Sequence, residues 1–121
     1  MNAFRAIPIE VHAALEVVAA PLLLVAPFVF GFGAVAGAIS IAIGVLLIGL
    51  AISIYGDTTR GALTLTAHAG FDQVLAAATI ALGALVGLVT KDLAATLFMV
   101  GFGSAHLALA ASTRYSRPLG A

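Results

Sequence analysis

Residues 8–30 read PIEVHAALEVVAAPLLLVAPFVF. Three ionisable groups, Glu10, His12 and Glu16, open this run, and from Val17 onward it is apolar to its end. Pro8 suits the first turn of a helix, where a missing N–H costs nothing. A helix rises about 1.5 Å per residue, so some 20 residues cross the roughly 30 Å of bilayer hydrocarbon. This run is long enough, and three more follow at approximately 36–55, 63–89 and 93–112. In lipid every backbone amide must bond within its own segment, so all four read as helices, the β-branched stretch Ile39 to Ile54 included.

Composition agrees. Of 121 residues 63% are hydrophobic and 8% charged, and the mean hydropathy is +1.22. A water-solvated domain carries charge on about a quarter of its residues. The apolar runs continue to the end of the sequence, so residues 1–121 read as one all-α transmembrane domain. Arg5 ahead of a run this long suits a signal anchor rather than a cleavable signal. Net charge is zero, and no basic cluster points to nucleic acid. The chain has no cysteine, which excludes disulfides, thiolate metal sites and CXXC redox chemistry. The expected partner is the lipid bilayer, with room for a homo-oligomer or a membrane-complex subunit.

Short breaks separate the runs: Gly31-Phe32-Gly33-Ala34-Val35, Gly56 to Gly61, and Thr90-Lys91-Asp92, with Thr90 as a candidate helix N-cap. Short connections make antiparallel neighbours, so the fold expected is an up-down-up-down four-helix bundle of two hairpins. Arg5, Arg60, Arg114 and Arg117 fall on the face of the termini, against Lys91 on the other. The positive-inside rule then puts both termini in the cytoplasm. Gly33/Gly37 and Gly83/Gly87 are Gly-xxx-Gly spacings, and with Gly44, Gly49, Gly101 and Gly103 they allow close helix contact within or between subunits.

The chemistry-bearing residues are few. His12 and Glu16 recur 56 positions on as His68 and Asp72, a comparison that suggests a parallel internal repeat of a two-helix unit. Ala26-Pro27-Phe28, followed by Gly31-Phe32 and a second apolar helix, resembles the SPW-repeat family of small membrane proteins. Ala26 stands for that family's serine and Phe28 for its tryptophan, and the resemblance covers roughly Val17 to Ile52. It implies a membrane architecture of two-helix units and no activity.

Residues four apart share a helix face. His12 with Glu16, and His68 with Asp72, therefore form two stripes, the second continued by Thr79 and Gly83. Thr96, Gly103 and His106 form another. His12 and His68 lie near the starts of their helices and His106 near the end of the last, so all three fall in one layer, with Ser53 and Tyr55 facing it from the second helix. Ionisable groups inside a bilayer cost about 2.5–3.5 kcal/mol when charged at the centre, which makes each a functional candidate. Imidazole with carboxylate suits a divalent transition metal such as Zn, Fe, Mn or Cu, and His12, Glu16, His68, Asp72 and His106 are the expected ligands. Three alternatives stand beside this: a haem held by two of the histidines, a small proton-coupled transporter using Glu16, and a ligand-free tie in a structural or accessory subunit. An enzyme is the least supported class, since Ser40, Ser53, Ser104 and Ser112 lack a nucleophile context and no phosphate loop is present. Pro21 denies the Val17 carbonyl its helical donor beside Glu16. Asp57, Arg60, Lys91, Asp92, Arg114 and Arg117 read as solvated loop charges, Tyr115 as an interfacial anchor, and the phenylalanines as packing or lipid-facing groups.

Overall fold

The structure, a computed structural model, describes residues 5–55 and 64–116, with Tyr55 described by its backbone alone. Asp57, Arg60 and Arg117, and the glycine-bounded loop around the first two, lie outside the described residues. Four helices follow the sequence expectation: α1 (Ile9–Phe30), α2 (Ala34–Ile52), α3 (Leu65–Thr90) and α4 (Leu93–Ser112). Each is long and apolar enough to cross a membrane. They form an all-α up-down-up-down bundle, and a 3-10 turn, Ser53–Tyr55, extends α2.

The packing is that of two hairpins, α1 with α2 and α3 with α4, joined along a thinner seam. Within each hairpin, glycine sets the approach. A Cβ on Gly44 would lie 2.9 Å from Leu24 Cδ2, and one on Gly83 would lie 2.8 Å from Met99 Cβ. Gly87 sits against Thr96, and Gly37 against Pro27. Gly49 and Gly101 meet nothing within 4 Å. Ala20, Leu23, Ile43, Leu47, Leu50 and Met99 fill the centre. Val18, Phe28, Val29, Leu88 and Leu97 point outward, the apolar exterior that lipid requires.

Two proline effects are resolved locally. Pro27 has no N–H, so the Leu23 carbonyl four residues earlier loses its helical donor. The Ser40 hydroxyl of α2 donates to that carbonyl at 2.7 Å. A mid-membrane polar gap is thereby closed by the neighbouring helix. Pro21 lies on the exposed side of an uninterrupted α1, away from the buried His12 and Glu16.

The turn between α3 and α4 departs from expectation. Thr90 is the last residue of α3, and its hydroxyl donates back to the Val86 carbonyl at 2.7 Å. Asp92 is the N-cap of α4 instead, accepting from Ala95 N at 3.2 Å. Its other oxygen accepts from Gly33 N, the N-cap of α2, at 2.7 Å. Asp92 is thus no free loop charge: one carboxylate serves two helix starts, where unsatisfied N–H groups and the helix dipole favour an anion. Asp92→Ala is expected to cost about 1–2 kcal/mol, read as a lowered unfolding midpoint in detergent. Asp92→Asn, which keeps an accepting oxygen, is expected to recover much of the loss; equal midpoints for Asp92→Ala and the parent protein would contradict the double cap.

At the opposite end, Ile7–Pro8 pairs in parallel with Thr113–Arg114, a two-residue ladder that sequence periodicity did not announce. It fixes the chain after α4 against the start of α1, over a small apolar layer of Ile9, Ala13, Ile54, Leu65 and Tyr115.

A buried histidine–carboxylate centre

The five ionisable residues picked out by rarity and spacing converge beneath that layer. His12 and Asp72 are 0% exposed, Glu16 and His68 1%, and His106 6%. His12 is in the first turn of α1 and His68 in the first turn of α3, while His106 lies within two turns of the end of α4. Antiparallel neighbours place these positions at one depth, as the topology requires.

Each histidine turns Nε2 toward the two carboxylates. His12 Nε2 is 3.1 Å from Glu16 Oε1 and 2.9 Å from Asp72 Oδ2. His68 Nε2 is 3.2 Å from Glu16 Oε1 and 3.3 Å from Asp72 Oδ2. The two i,i+4 pairs therefore cross: each histidine meets its own helix's carboxylate and that of the other hairpin. His106 stands apart from this quartet. Its Nε2 lies 3.2 Å from Glu16 Oε2 and 3.2 Å from Asp72 Oδ1, the oxygens on the far side.

The outer nitrogens decide the tautomers. The Thr113 hydroxyl donates to the Leu109 carbonyl at 2.6 Å, which uses its one proton. Its oxygen, 2.7 Å from His12 Nδ1, must then accept from that nitrogen. With Nδ1 holding the proton, neutral His12 presents a lone pair at Nε2. At His68, Ser53 donates to the Leu50 carbonyl at 2.5 Å and accepts from Nδ1 at 3.3 Å, while Nε2 lies in hydrogen-bond geometry with Glu16 Oε1 at 3.2 Å. Ser53 ends α2 and Thr113 ends α4, so the caps exchange between hairpins as the carboxylates do. His12 Nε2 is fully buried and makes no hydrogen bond of acceptable direction among the described residues, despite the two oxygens beside it.

Tyr115 is the largest surprise. Rather than anchoring in the interface, its hydroxyl donates to Asp72 Oδ2 at 2.7 Å, and its ring meets His12 edge-on at a centroid distance of 5.3 Å. Burial, then the Asp72 carboxylate, raise the phenol pKa, so it remains a donor. Tyr115 also lines a cavity of about 430 Å³ with Arg5, Thr66, Gln73 and Arg114 at the end of the bundle. Thr113 and Tyr115 lie just past the last apolar run, where no helical spacing could mark them. Tyr55, expected to face the layer, has no described side chain; Ser53, expected with it, does reach His68. Ser104 is exposed, two positions from His106 and away from it, so it forms no nucleophile pair.

Fold and site define a small four-span helical membrane protein whose two hairpins meet at a buried histidine–carboxylate centre able to hold a metal ion. Comparison of the chain with protein-family models, curated proteins and solved structures returned no match.

Proposed function

We propose that this protein binds a divalent transition-metal ion, zinc fitting best, between His12, Glu16, His68 and Asp72. The observation that carries the reading is the spacing of the four donor atoms. One atom from each of the four residues lies within 4.8 Å of the others, and four nitrogen–oxygen separations fall between 2.9 and 3.3 Å. Donors at the corners of a tetrahedron, each some 2.0–2.1 Å from zinc, stand about 3.3 Å apart. The unpartnered His12 Nε2 supports the same reading, because its lone pair faces two carboxylate oxygens and calls for a cation among them.

Charge supports it further. Two carboxylates and neutral imidazoles carry two negative charges, which a divalent ion cancels. A monovalent or trivalent ion leaves a net charge in an apolar medium, where its solvation cost is several kcal/mol. The outer contacts have the form typical of metal sites, with Thr113 and Ser53 orienting the two ligand histidines. His106 takes an outer role in this proposal. It holds the oxygens turned away from the ion rather than serving as a fifth ligand. Haem fits less well, since carboxylates rather than open space face the histidine nitrogens. The ion would tie the hairpins together, because each contributes one histidine and one carboxylate.

Elemental analysis of purified protein is expected to find about one equivalent of metal. Chelation should lower the unfolding midpoint and added zinc restore it, with weaker binding as pH falls because protons compete for the same donors. Protein that carries no metal and gains no stability from Zn, Fe, Mn or Cu would leave the centre as a ligand-free tie between hairpins.

Two further readings belong with this proposal. A duplicated two-helix unit, the arrangement that the SPW-repeat resemblance of Ala26 to Phe28 implies, is proposed on the recurrence of His12 and Glu16 as His68 and Asp72. Arg5 and Arg114, at the end opposite Lys91, support cytoplasmic termini.

A further inference from the structure

The end of the bundle opposite Lys91 holds two arginines at one cavity. The parallel ladder of Ile7–Pro8 with Thr113–Arg114 brings the chain before α1 against the chain after α4. Arg114 Nη2 then lies 3.5 Å from the carbonyl oxygen of Ala6, the residue after Arg5 and 108 positions away in sequence. Both arginines are exposed, and both line the cavity of about 430 Å³ beside Tyr115. Ion pairs among the described residues all run from a histidine to Glu16 or Asp72, so neither arginine is paired there. None of the described residues that line the cavity is acidic.

The rest of the lining has the same sense. Thr66, Gln73 and Ser116 add neutral side chains with hydrogens to donate. Tyr115 forms the wall toward the buried centre, and its own hydroxyl is spent on Asp72. Guanidinium groups are permanently charged, so the cavity carries two fixed positive charges that repel each other unless an anion lies between them. Its depth is set by the helices. Thr66 is the second residue of α3, and α4 ends at Ser112. The cavity therefore lies where the spans leave hydrocarbon, in the headgroup layer that adds some 10–15 Å to the roughly 30 Å core.

We infer that this cavity binds a phosphate group through Arg5 and Arg114. Two guanidinium forks match the several acceptor oxygens of a tetrahedral phosphate and offset its one or two negative charges. A single carboxylate carries one charge and fills one fork, which leaves the other cation uncompensated. The phosphate belongs either to an anionic lipid headgroup or to an ion in the water outside, and both present the same oxygens. Basic pockets between membrane helices take up anionic headgroups in this way. The volume falls in the roughly 300–1,000 Å³ range of small-molecule pockets and leaves room for the glycerol of a headgroup. The inference uses no metal ligand, and it stands whether or not an ion occupies the buried centre.

The test uses the full chain in dodecyl maltoside with two probes. Phosphatidylglycerol is followed by native mass spectrometry, against phosphatidylcholine of the same acyl chains, and inorganic phosphate is followed by calorimetry. The double variant Arg5→Gln/Arg114→Gln is expected to weaken binding roughly 30-fold, from the loss of two interfacial cations. Gln73→Glu keeps both arginines, sets a carboxylate among them and should also weaken binding. Lys91→Gln, at the other end of the bundle, should leave it unchanged. Unfolding midpoints equal to the parent's would show that these exposed substitutions spare the fold. Phosphatidylglycerol held without inorganic phosphate identifies the lipid as the source, and the reverse identifies the aqueous ion; either supports the inference when the double variant loses it. Phosphate held by a metal in the buried centre would survive the double variant, so the two readings separate. Equal affinities in the parent and the double variant overturn the inference. So does phosphatidylcholine held as tightly as phosphatidylglycerol with no binding of inorganic phosphate, or a loss in Lys91→Gln as large as in the double variant.

Discussion

Asp72→Asn is expected to empty the centre of metal and to lower stability by about 3–5 kcal/mol, the cost of removing one partner from a buried charged pair. No other residue is so heavily committed. Asp72 Oδ2 accepts from Tyr115 at 2.7 Å and stands 2.9 Å from His12 Nε2 and 3.3 Å from His68 Nε2. Its Oδ1 takes His106 at 3.2 Å. The amide keeps the shape but loses the charge, so a divalent ion beside Glu16 alone would leave one uncompensated positive charge. The amide nitrogen also has no lone pair to offer, so on whichever side it lies it can neither ligate an ion nor accept from His106 Nε2 or the Tyr115 hydroxyl. Metal affinity should fall by well over 100-fold. Thr113→Val is the calibrating variant, because it removes the hydroxyl that accepts from His12 Nδ1 and keeps the branched shape. An outer partner of this kind is worth about 10–100-fold in affinity. The ordering Asp72→Asn far below Thr113→Val, below the parent, distinguishes a ligand from its support. Competition titrations against a chelator would measure both. Full metal occupancy in Asp72→Asn, with an unchanged unfolding midpoint, would remove Asp72 from the ligand set.

What could be read from sequence follows the physics of each contact. The helices were legible because lipid demands closed hydrogen bonding over a length the bilayer sets, and the four runs meet that demand. His12, Glu16, His68 and Asp72 were legible because ionisable groups are rare in such runs and a spacing of four fixes a shared face. His106 was placed at the right depth by counting spans, yet its allotment to the far oxygens depends on rotamers that no spacing encodes. Thr113 lies 101 positions from its partner His12, and Tyr115 lies 43 from Asp72. Both sit in the short stretch after α4, where an aromatic beside arginine has a bland interfacial explanation. Asp92 was misread for the same reason: its second helix start, at Gly33, is 59 positions away. Local signals identify groups that must be buried. They do not identify the groups that the tertiary fold brings to meet them.

Gly103→Ala should destabilise the bundle by about 1–3 kcal/mol, an unusual penalty for one methyl group in a helix. The added carbon would lie 2.7 Å from Ile80 Cγ1, 2.9 Å from the Ala76 carbonyl oxygen and 3.0 Å from Ile80 N. Two of these atoms are backbone, so no rotamer change relieves the overlap and α3 must move away from α4. The displacement reaches the centre. Ala76 is one turn beyond Asp72 on α3, and Gly103 is one turn before His106 on α4, so the bond from His106 to Asp72 spans the gap being widened. Weakened metal binding should therefore accompany the loss of stability. Gly101→Ala supplies the contrast within the same helix. Nothing lies within 4 Å of its added carbon, and alanine is favoured over glycine in a helix interior by about 0.8–1.0 kcal/mol. It should be neutral or slightly stabilising, with metal affinity unchanged. Unfolding midpoints of the two variants in one detergent decide the matter. Equal midpoints would mean that α3 and α4 do not pack through Gly103, and the alignment of His106 with Asp72 would need another cause.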